Sequence, residues 1–520
     1  MVINGVIYQN KELMNAIRVQ RIVALDISQS HPNQKPYRTD AYYAKLANQL
    51  LDDFKSLRLD FGQQTSSIVR YTALLLANYM EDIVADSGQW RSFSALSQQM
   101  LGQSVPMYHS AEAEYYPDEP SFEAVRFIVW HAATEMDDIW WNADDKWLRK
   151  MAEVAYARLV NAFEQIPISE ELAEGINDML GEAAEDFQKM RLALIWIFKN
   201  CYLTRSLAAE KLIEKRLEEA ADMSKVMPPG PMRMFYAIMH SIFAYKIGPL
   251  ALESKEYLAA LMRTKLMLGE AQEVIDIEVK PMGYYRYTIE KDGQWLQMLR
   301  TNGERIRVAR DEITLDDEAL HRHDGCCAIF VKYLGAWHMN GIMIPAEGIA
   351  KHWDALVKKD PEYRAKGVRD LTGEMLLKQS GGKEILYFKN KEELKNYMIK
   401  NMRYSPDQFE FLSKHDLARE YPLIFIDKNA KKFAFHLSFG FVPCIADPAN
   451  PYYDAAVARK EAIKMLWSSS GVSTEAVLYL LDHDYLPDIY DDALFSREST
   501  PEEKRADVRF LLRYMRRENY

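Results

Sequence analysis

Cysteine is scarce in this sequence, with four in 520 residues. A disulfide-stabilised scaffold needs many paired cysteines in a short chain, so the count excludes such a framework and is typical of a reducing compartment. A long apolar run is also missing, because the longest candidate, residues 192–198, has about a third of the length that crosses a bilayer. The first twenty residues lack the basic start and the continuous apolar stretch of a signal peptide. We therefore expect a soluble protein of the cytoplasm.

Sequence motifs of known chemistry are absent as well. The chain has no repeat, no low-complexity tract, no phosphate-binding loop, no dinucleotide-binding fingerprint, no Gly-x-Ser-x-Gly turn and no kinase signature set. The net charge of -11 disfavours broad adhesion to nucleic acid or to an anionic membrane, although a local basic patch could still bind either. Catalytic side chains can converge in space without a sequence motif, so these absences do not exclude an enzyme.

The composition that is present indicates a folded α+β protein. Hydrophobic residues make up 48% and charged residues 27% of the chain, and 520 residues favour two to four domains. The patterns predict a large helical N-terminal half, a small central antiparallel β unit, and a mixed α/β C-terminal portion that ends in helices. We place the domains at residues 1–270 (helical), 271–345 (antiparallel β), 346–455 (mixed) and 456–520 (helices that pack on the rest).

The most informative part of the chain is a strand-rich segment, residues 274–344. Apolar and charged residues alternate over 275–280, and the alternation continues over 285–289, as in strands with one buried face. Asp292-Gly293 and Asn302-Gly303 are two-residue hairpin signals. The segment is expected to form a meander or a barrel-like unit, and small units of this kind present a polar face and loops as a binding surface.

Elsewhere the patterns predict helices with recognisable starts and ends, and short strands in the C-terminal portion. Helices are expected over residues 41–54 with Thr39 or Asp40 as N-cap, from Ser121 into the tryptophan-rich segment, and over 145–163, 170–187, 189–221, 346–358 and 391–401 with Asn390 as cap. A short strand is expected at 384–388 and a hairpin at 422–426 and 432–437.

Basic and aromatic side chains cluster in the strand-rich segment. The candidate binding residues are Arg300, Arg305, Arg307, Arg310, Tyr285, Tyr287 and Trp295. Arginines and exposed aromatic rings on a small β unit hold single-stranded nucleic acid by phosphate contact and base stacking. An arginine-rich face on the last helix, residues 505–517, is a second basic feature. The alternative for both is that these arginines pair with acids of the same molecule or are simply solvated.

Two groups of side chains could hold a metal ion. His131 and Glu135 lie one turn apart on a predicted helix, and His321, His323 and Asp324 precede two cysteines. The alternatives are an amphipathic helix with a buried aromatic face for the first group and a polar loop entering a strand for the second. The first group has the spacing of two metal ligands but is at most half a metal site, and the spacing of the second group matches none of the usual zinc patterns.

Several short segments resemble a family of uncharacterised bacterial proteins, typical of Bacteroidetes, that is known only as a domain of unknown function. The matching segments are Pro36-Tyr37, Thr39-Asp40-x-Tyr42-Tyr43, Leu46-Ala47-Asn48, Glu81-Asp82-Ile83, Glu114-Tyr115-Tyr116, Phe127-Ile128-Val129-Trp130, Leu386-Tyr387-Phe388-Lys389-Asn390-Lys391, Ile424-Phe425-Ile426-Asp427 and Asp447-Pro448-x-Asn450-Pro451-Tyr452-Tyr453-Asp454. The resemblance implies a bacterial cytosolic protein and carries over no activity and no catalytic residue.

From the sequence we expect a cytosolic, non-enzymatic binding or adaptor protein whose central β unit is the interaction surface. Its partner would be a protein, RNA or a ribonucleoprotein, with no membrane and no small-molecule cofactor. The alternative is a metal-dependent hydrolase that uses one of the two His, Asp and Glu groups.

Overall fold

The computed structural model describes residues 20–520 except 110–114, 138–139, 222–229, 314, 347, 361–372, 403, 407–408, 410–420, 429–434, 470, 492–493, 498 and 518–519. Part of the Glu114-Tyr115-Tyr116 segment and the turn of the predicted 422–437 hairpin therefore lie outside the described residues. The chain divides into two units. The first comprises residues 1–354 with 496–498, and the second comprises residues 355–495 with 499–520.

The first unit begins with an array of helices. They are α1 (Ala24–Ser28), α2 (Asp40–Ser56), α3 (Thr65–Ala85), α4 (Gln89–Leu101), α5 (Phe122–Asp137), α6 (Lys146–Phe163), α7 (Glu170–Glu185), α8 (Phe187–Lys199), α9 (Leu207–Ala221), α10 (Pro231–Ala244), α11 (Ser254–Thr264) and α12 (Leu268–Ile275). A two-stranded ladder, β1 (Lys246–Ile247) and β2 (Leu252–Glu253), lies between α10 and α11. The helix α3 is buried along most of its length and lies at the centre of this array.

Side-chain caps confirm several predicted helix starts. Ser121 Oγ accepts a hydrogen bond from the backbone N–H of Ala124 at 3.1 Å where α5 begins, and Asp145 accepts from Trp147 N at 2.8 Å where α6 begins. Thr39 precedes α2 as predicted but makes no capping hydrogen bond. The Thr39 hydroxyl instead donates to Ser169 Oγ at 3.0 Å, and Ser169 in turn donates to the buried Glu81.

The helix predicted over 189–221 is two helices, α8 and α9, separated by residues 200–206. In this connection the Tyr202 hydroxyl donates to buried Asp82 Oδ2 at 2.8 Å, and the Thr204 hydroxyl donates to the carbonyl oxygen of Ile197. These tertiary contacts replace the helical hydrogen bonds that the local pattern favours.

The strand-rich segment forms a closed barrel. The sequence allowed either a meander or a barrel-like unit. Its strands are β3 (Glu278–Ile289), β4 (Trp295–Arg300), β5 (Arg305–Ala309), β6 (Gly325–Tyr333), β7 (Ala336–Met339) and β8 (Ile344–Ala346). The ladder runs β3-β4-β5-β7-β6, and β6 pairs back with β3, so five strands close a ring to which β8 is added. All these pairs are antiparallel except β5 with β7, which is parallel. The predicted hairpins at Asp292-Gly293 and Asn302-Gly303 join β3 to β4 and β4 to β5.

The barrel starts later than predicted, because Leu268–Ile275 is helical and the first strand begins at Glu278. A short helix, α13 (Asp317–Arg322), lies between β5 and β6. The barrel interior is filled by side chains of every strand of the ring. They are Tyr285, Leu296, Met298, Ile306, Val308, Cys326, Ala328, Phe330 and Met339.

The second unit is mixed, as the sequence predicts. The helix α14 (Ile349–Lys359) contains the unit boundary, and the later helices are α15 (Gly373–Gln379), α16 (Lys391–Met402), α17 (Ala455–Glu461), α18 (Thr474–Asp482) and α19 (Pro501–Arg516). A three-stranded antiparallel sheet has the order β11 (Phe435–Phe439), β10 (Pro422–Ile426), β9 (Ile385–Tyr387). Asn390 Oδ1 accepts from Glu393 N at 3.0 Å, which confirms the predicted cap of α16. Among the helices of the described ranges, none has the length and apolar character needed to cross a membrane.

Candidate functional site: an outer barrel face and a buried polar cluster

One face of the barrel is formed by outward side chains of β3, β4 and β5. In the ladder Arg286 lies opposite Leu299, and Leu299 lies opposite Arg305. The next row places Thr288, Gln297 and Arg307 side by side. We call this surface the outer barrel face, and its residues are Tyr284, Arg286, Thr288, Trp295, Gln297, Leu299, Arg305 and Arg307. Leu299 and Trp295 are half-buried and the other six are exposed.

Arg305 and Arg307 share this face, as the alternation predicts. Arg305 is exposed and forms no ion pair with any described residue. Arg307 donates from Nε and Nη2 to the two carboxylate oxygens of Glu290 at 2.9 and 2.8 Å, and its guanidinium lies 4.0 Å from the centre of the Trp295 ring. The Arg307 hydrogen bonds lower the pKa of Glu290 to about 2. The ion pair therefore holds one guanidinium over an aromatic ring.

Two of the predicted binding residues point into the barrel and do not belong to an exposed face. Tyr285 is 1% exposed and packs edge-on against Phe330. Arg300 is 7% exposed, and its Nη1 lies 3.7 Å from Glu304 Oε2. The Arg300 guanidinium lies over Gly283, at a bulge of β3, where a Cβ would come within 2.9 Å of its Nε. Barrel closure therefore buries both side chains.

Two further predicted binding residues are held by neighbours inside the same unit. The Tyr287 hydroxyl lies within hydrogen-bond distance of the carbonyl oxygens of Leu320 and His323, at 3.0 and 2.9 Å, and shares its one proton between them. Arg310 donates to Asp317 Oδ1 at 2.9 Å and to two backbone carbonyls. These two side chains connect β3 and the turn after β5 with α13, and they are not presented on the outer barrel face.

The predicted pair His131 and Glu135 is buried in α5, with 2% and 5% exposure. Glu135 Oε2 accepts from the backbone N–H of Leu207 at 3.2 Å. This carboxylate therefore provides the acceptor for an N–H group that has no partner within α9. The His131 ring stacks on Phe127, with ring centres 6.1 Å apart. The surroundings of His131 and Glu135 agree with the alternative interpretation, an amphipathic helix with a buried aromatic face.

The predicted group of His321, His323 and Asp324 is spread over a helix end and a loop. His321 lies in α13, a short helix capped by Asp316, and His323 directly follows that helix, so the two histidines are not neighbours on one face of a strand. Asp324 accepts from the backbone N–H groups of Ile349 and Ala350 at 2.9 and 2.8 Å, at the start of α14. Burial raises the Asp324 pKa, and these N–H donors lower it by more, so that the pKa lies below its usual range.

The arginine-rich face of α19 is partly internal to the second unit. Arg516 is 1% exposed and donates to the carbonyl oxygens of Leu466 and Val472 at 2.9 and 2.6 Å. Arg509 pairs with Asp482, and the Arg513 guanidinium lies 4.4 Å from the centre of the Tyr520 ring. These contacts agree with the intramolecular alternative for this helix.

A buried polar cluster that sequence reasoning missed joins His31, Asp40 and Glu81. His31 Nε2 lies 3.2 Å from Glu81 Oε2 and 3.7 Å from Asp40 Oδ1, and all three residues are at most 1% exposed. No other group of three or more His, Cys, Asp and Glu residues in the described part of the chain brings its ligand atoms within 4.8 Å of one another. Asp40 and Glu81 lie in two of the segments that resemble the uncharacterised family, and this was the only hint of the cluster in the sequence. No spacing rule connects positions 31, 40 and 81.

Burial and neighbouring charge shift the pKa values in this cluster. Burial raises the pKa of Asp40 to about 6. Burial lowers the pKa of His31, while the hydrogen bond and charge of Glu81 raise it by more, so the net shift is upward.

The strand order of the barrel defines its fold class. Five strands closed in the order 1-2-3-5-4-1, with the third and fifth parallel and a helix between the third and fourth, have the topology of an OB-fold barrel. The surface of the second and third strands, here β4 and β5, is the one with which such barrels bind oligonucleotides and oligosaccharides. The first unit is thus a helical array joined to an OB-type barrel.

The chain as a whole belongs to the family described as protein of unknown function DUF3843, whose sequence model matches residues 21–272 and 341–517. The predicted membership of a family of unknown function is confirmed. The match covers α1 to α11, the first part of α12 and most of the second unit. The strands β3 to β7 and the helix α13 lie in residues 273–340, between the two matched segments. Comparison with curated proteins and with solved structures finds no match.

Proposed function

We propose that the outer barrel face binds single-stranded RNA, and that the protein is a cytoplasmic binding or adaptor protein without catalytic activity of its own. The observation that carries this proposal is the OB-type strand order with outward arginines and aromatic rings on β3, β4 and β5. This is the surface that OB barrels use for nucleic acid.

The chemistry of the face suits a single strand better than a duplex. Tyr284, 43% exposed, and Trp295 offer ring surface on which unpaired bases can stack. Arg286, Arg305 and Arg307 lie between the two rings and can contact phosphates. In a duplex the bases are already stacked on each other, so only the phosphate contacts would remain.

Because the whole chain is acidic, binding of RNA requires a local basic surface. The net charge is -11, so most of the surface repels phosphate. On the outer barrel face three arginines outnumber the carboxylates that form ion pairs with them, since within the described part of the chain Glu290 alone does so. Arg305 has no ion pair among the described residues, so phosphate binding there breaks no existing bond.

The test is fluorescence anisotropy of the full chain with a labelled single-stranded oligouridine of about 12 nucleotides, within the site sizes of OB folds. We expect binding that weakens with salt. In the double variant Arg305→Ala, Arg307→Ala, the slope of log Kobs against log salt should fall by about 1.4, because each phosphate contact on a single strand contributes about 0.7. Trp295→Ala should weaken binding by about 1–3 kcal/mol through lost stacking.

The matched control is Arg322→Ala, which removes an exposed arginine of the same barrel unit that pairs with Glu318 on α13. It should leave the salt slope unchanged. Absence of salt-sensitive binding in the wild-type protein, or equal binding by the double variant, would refute the proposal. Equal affinity for single-stranded and duplex RNA would remove the stacking part of the argument.

A further inference from the structure

The buried polar cluster has a geometry that its own hydrogen bonds do not explain. His31 Nε2, Asp40 Oδ1 and Glu81 Oε2 point toward one another from the segment before α2, the first turn of α2 and the C-terminal part of α3. Asp40 Oδ1 is buried and accepts no hydrogen bond from any described group. An orphaned carboxylate oxygen inside a protein is costly, so something absent from the protein's own groups is expected to satisfy it.

In each of these three side chains, the polar atom that faces away from the centre of the cluster forms a hydrogen bond with another residue. His31 Nδ1 donates to the carbonyl oxygen of Lys35 at 3.0 Å. Tyr37 N donates to Asp40 Oδ2 at 2.9 Å, and Ser169 Oγ donates to Glu81 Oε1 at 2.8 Å. The three inner atoms are therefore fixed in direction, as metal ligands are when a second layer of hydrogen bonds orients them.

The proton count of the imidazole sharpens the problem. A carbonyl oxygen can only accept, so the Nδ1 atom of His31 carries the proton of the neutral ring. In that neutral form, Nε2 faces two carboxylate oxygens at 3.2 and 3.7 Å with a lone pair, and only the doubly protonated ring could donate from Nε2 to Glu81. With both carboxylates ionised, the interior would hold two negative charges and three converging acceptors, which is unfavourable without a cation.

We propose that His31, Asp40 and Glu81 bind one divalent transition-metal ion, zinc in the first place. Ligands at about 2.0–2.1 Å from a tetrahedral Zn²⁺ lie about 3.3–3.4 Å from each other, and the two distances from His31 Nε2 are 3.2 and 3.7 Å. An imidazole with two carboxylates favours zinc and its neighbours over Ca²⁺ or Mg²⁺, which prefer oxygen ligands alone.

The burial of the ligands assigns the ion a structural role. The three residues are at most 1% exposed, and the ion joins the segment before α2 to α2 and α3. The Tyr37 ring covers the imidazole, with ring centres 3.9 Å apart. The ion then stabilises the folded helical array, since a group that binds only the folded state shifts the folding equilibrium toward it.

The test begins with elemental analysis of the purified full chain, followed by chelation and refilling with Zn²⁺ or Co²⁺. We expect close to one equivalent of metal, a visible Co²⁺ spectrum of tetrahedral type, and a lower melting temperature after chelation. At free metal 100 times the Kd, the folding equilibrium constant should rise about 100-fold. Glu81→Gln and Asp40→Asn, which keep the side-chain shape, should lose the metal and the thermal shift.

The control variant is His131→Ala, which removes another buried histidine of the same unit. It should keep one equivalent of metal. Ser169→Ala should retain the site but weaken it about 10-fold, because it removes only the orienting hydrogen bond to Glu81. A wild-type protein that takes up neither Zn²⁺ nor Co²⁺ would overturn the proposal and leave a proton on Nε2, shared with Glu81, as the explanation. Equal uptake by Glu81→Gln would overturn it as well.

Discussion

Asp82 offers the sharpest test of how the helical array is held together, because its carboxylate accepts four hydrogen bonds inside the protein. Oδ1 accepts from Ser87 Oγ and Gln89 N at 2.5 and 3.1 Å. Oδ2 accepts from Trp90 N and Tyr202 Oη at 2.6 and 2.8 Å. This one side chain therefore joins the end of α3 to the start of α4 and to the connection between α8 and α9.

The substitution Asp82→Asn keeps the size of the side chain and removes one of its two acceptor atoms. Whichever way the amide is placed, its NH2 group faces a backbone N–H, of Gln89 or of Trp90, that can only donate. Two hydrogen bonds to a charged group are lost, each contributing about 1.5–3 kcal/mol, so we expect a loss of about 3–6 kcal/mol in the free energy of unfolding. Burial raises the Asp82 pKa and the four donors oppose that rise.

The measurement is urea unfolding of the full chain followed by tryptophan fluorescence, since buried Trp90 is bonded to Asp82. Tyr202→Phe removes a single donor and should cost about 1–2 kcal/mol. Asp86→Asn changes a carboxylate that is 63% exposed and pairs with Arg91, and it should cost less than about 1 kcal/mol. A loss below about 1 kcal/mol for Asp82→Asn would refute the view that this carboxylate holds the three segments together.

Two further predictions concern the second unit and the barrel. Arg516→Met should cost about 4 kcal/mol, because the buried guanidinium donates to backbone carbonyls within residues 465–472; urea unfolding measures it, and the partly exposed Arg505→Met, which should cost little, is the control. Glu290→Gln should strengthen binding of single-stranded RNA severalfold by releasing Arg307 from its ion pair; anisotropy titration measures it, and unchanged or weaker binding would contradict a phosphate contact at Arg307.

Local patterns in the sequence determined the secondary structure well where neighbouring residues decide the outcome. The hairpin residues Asp292-Gly293 and Asn302-Gly303 join strands as predicted, and the cap residues Ser121 and Asn390 begin helices as predicted. These features depend on contacts within about four residues, so their signals are contained in short stretches of sequence. The break between α8 and α9 was missed because Tyr202 bonds to Asp82, 120 residues away.

The alternation along β3 already separates the outer barrel face from the barrel interior. Tyr285 and Tyr287 fall on the apolar side of that strand, together with Ile289, and this side faces the barrel core. The same parity along β4 places Arg300 inside with Leu296 and Met298. The sequence therefore separated inner from outer residues, but only closure of the ring between β3 and β6 showed that the inner side is filled completely.

By itself the sequence determined the α+β class, the helical first half and the place of the β unit, because period, caps and turns are properties of neighbouring residues. Only the tertiary structure decided which side chains meet. Glu81 and Asp82 are adjacent on α3, yet a helix turns about 100° per residue, so Glu81 points to His31 while Asp82 points to Trp90 and Tyr202. Such convergence depends on how distant helices pack, and a one-dimensional pattern does not contain that information.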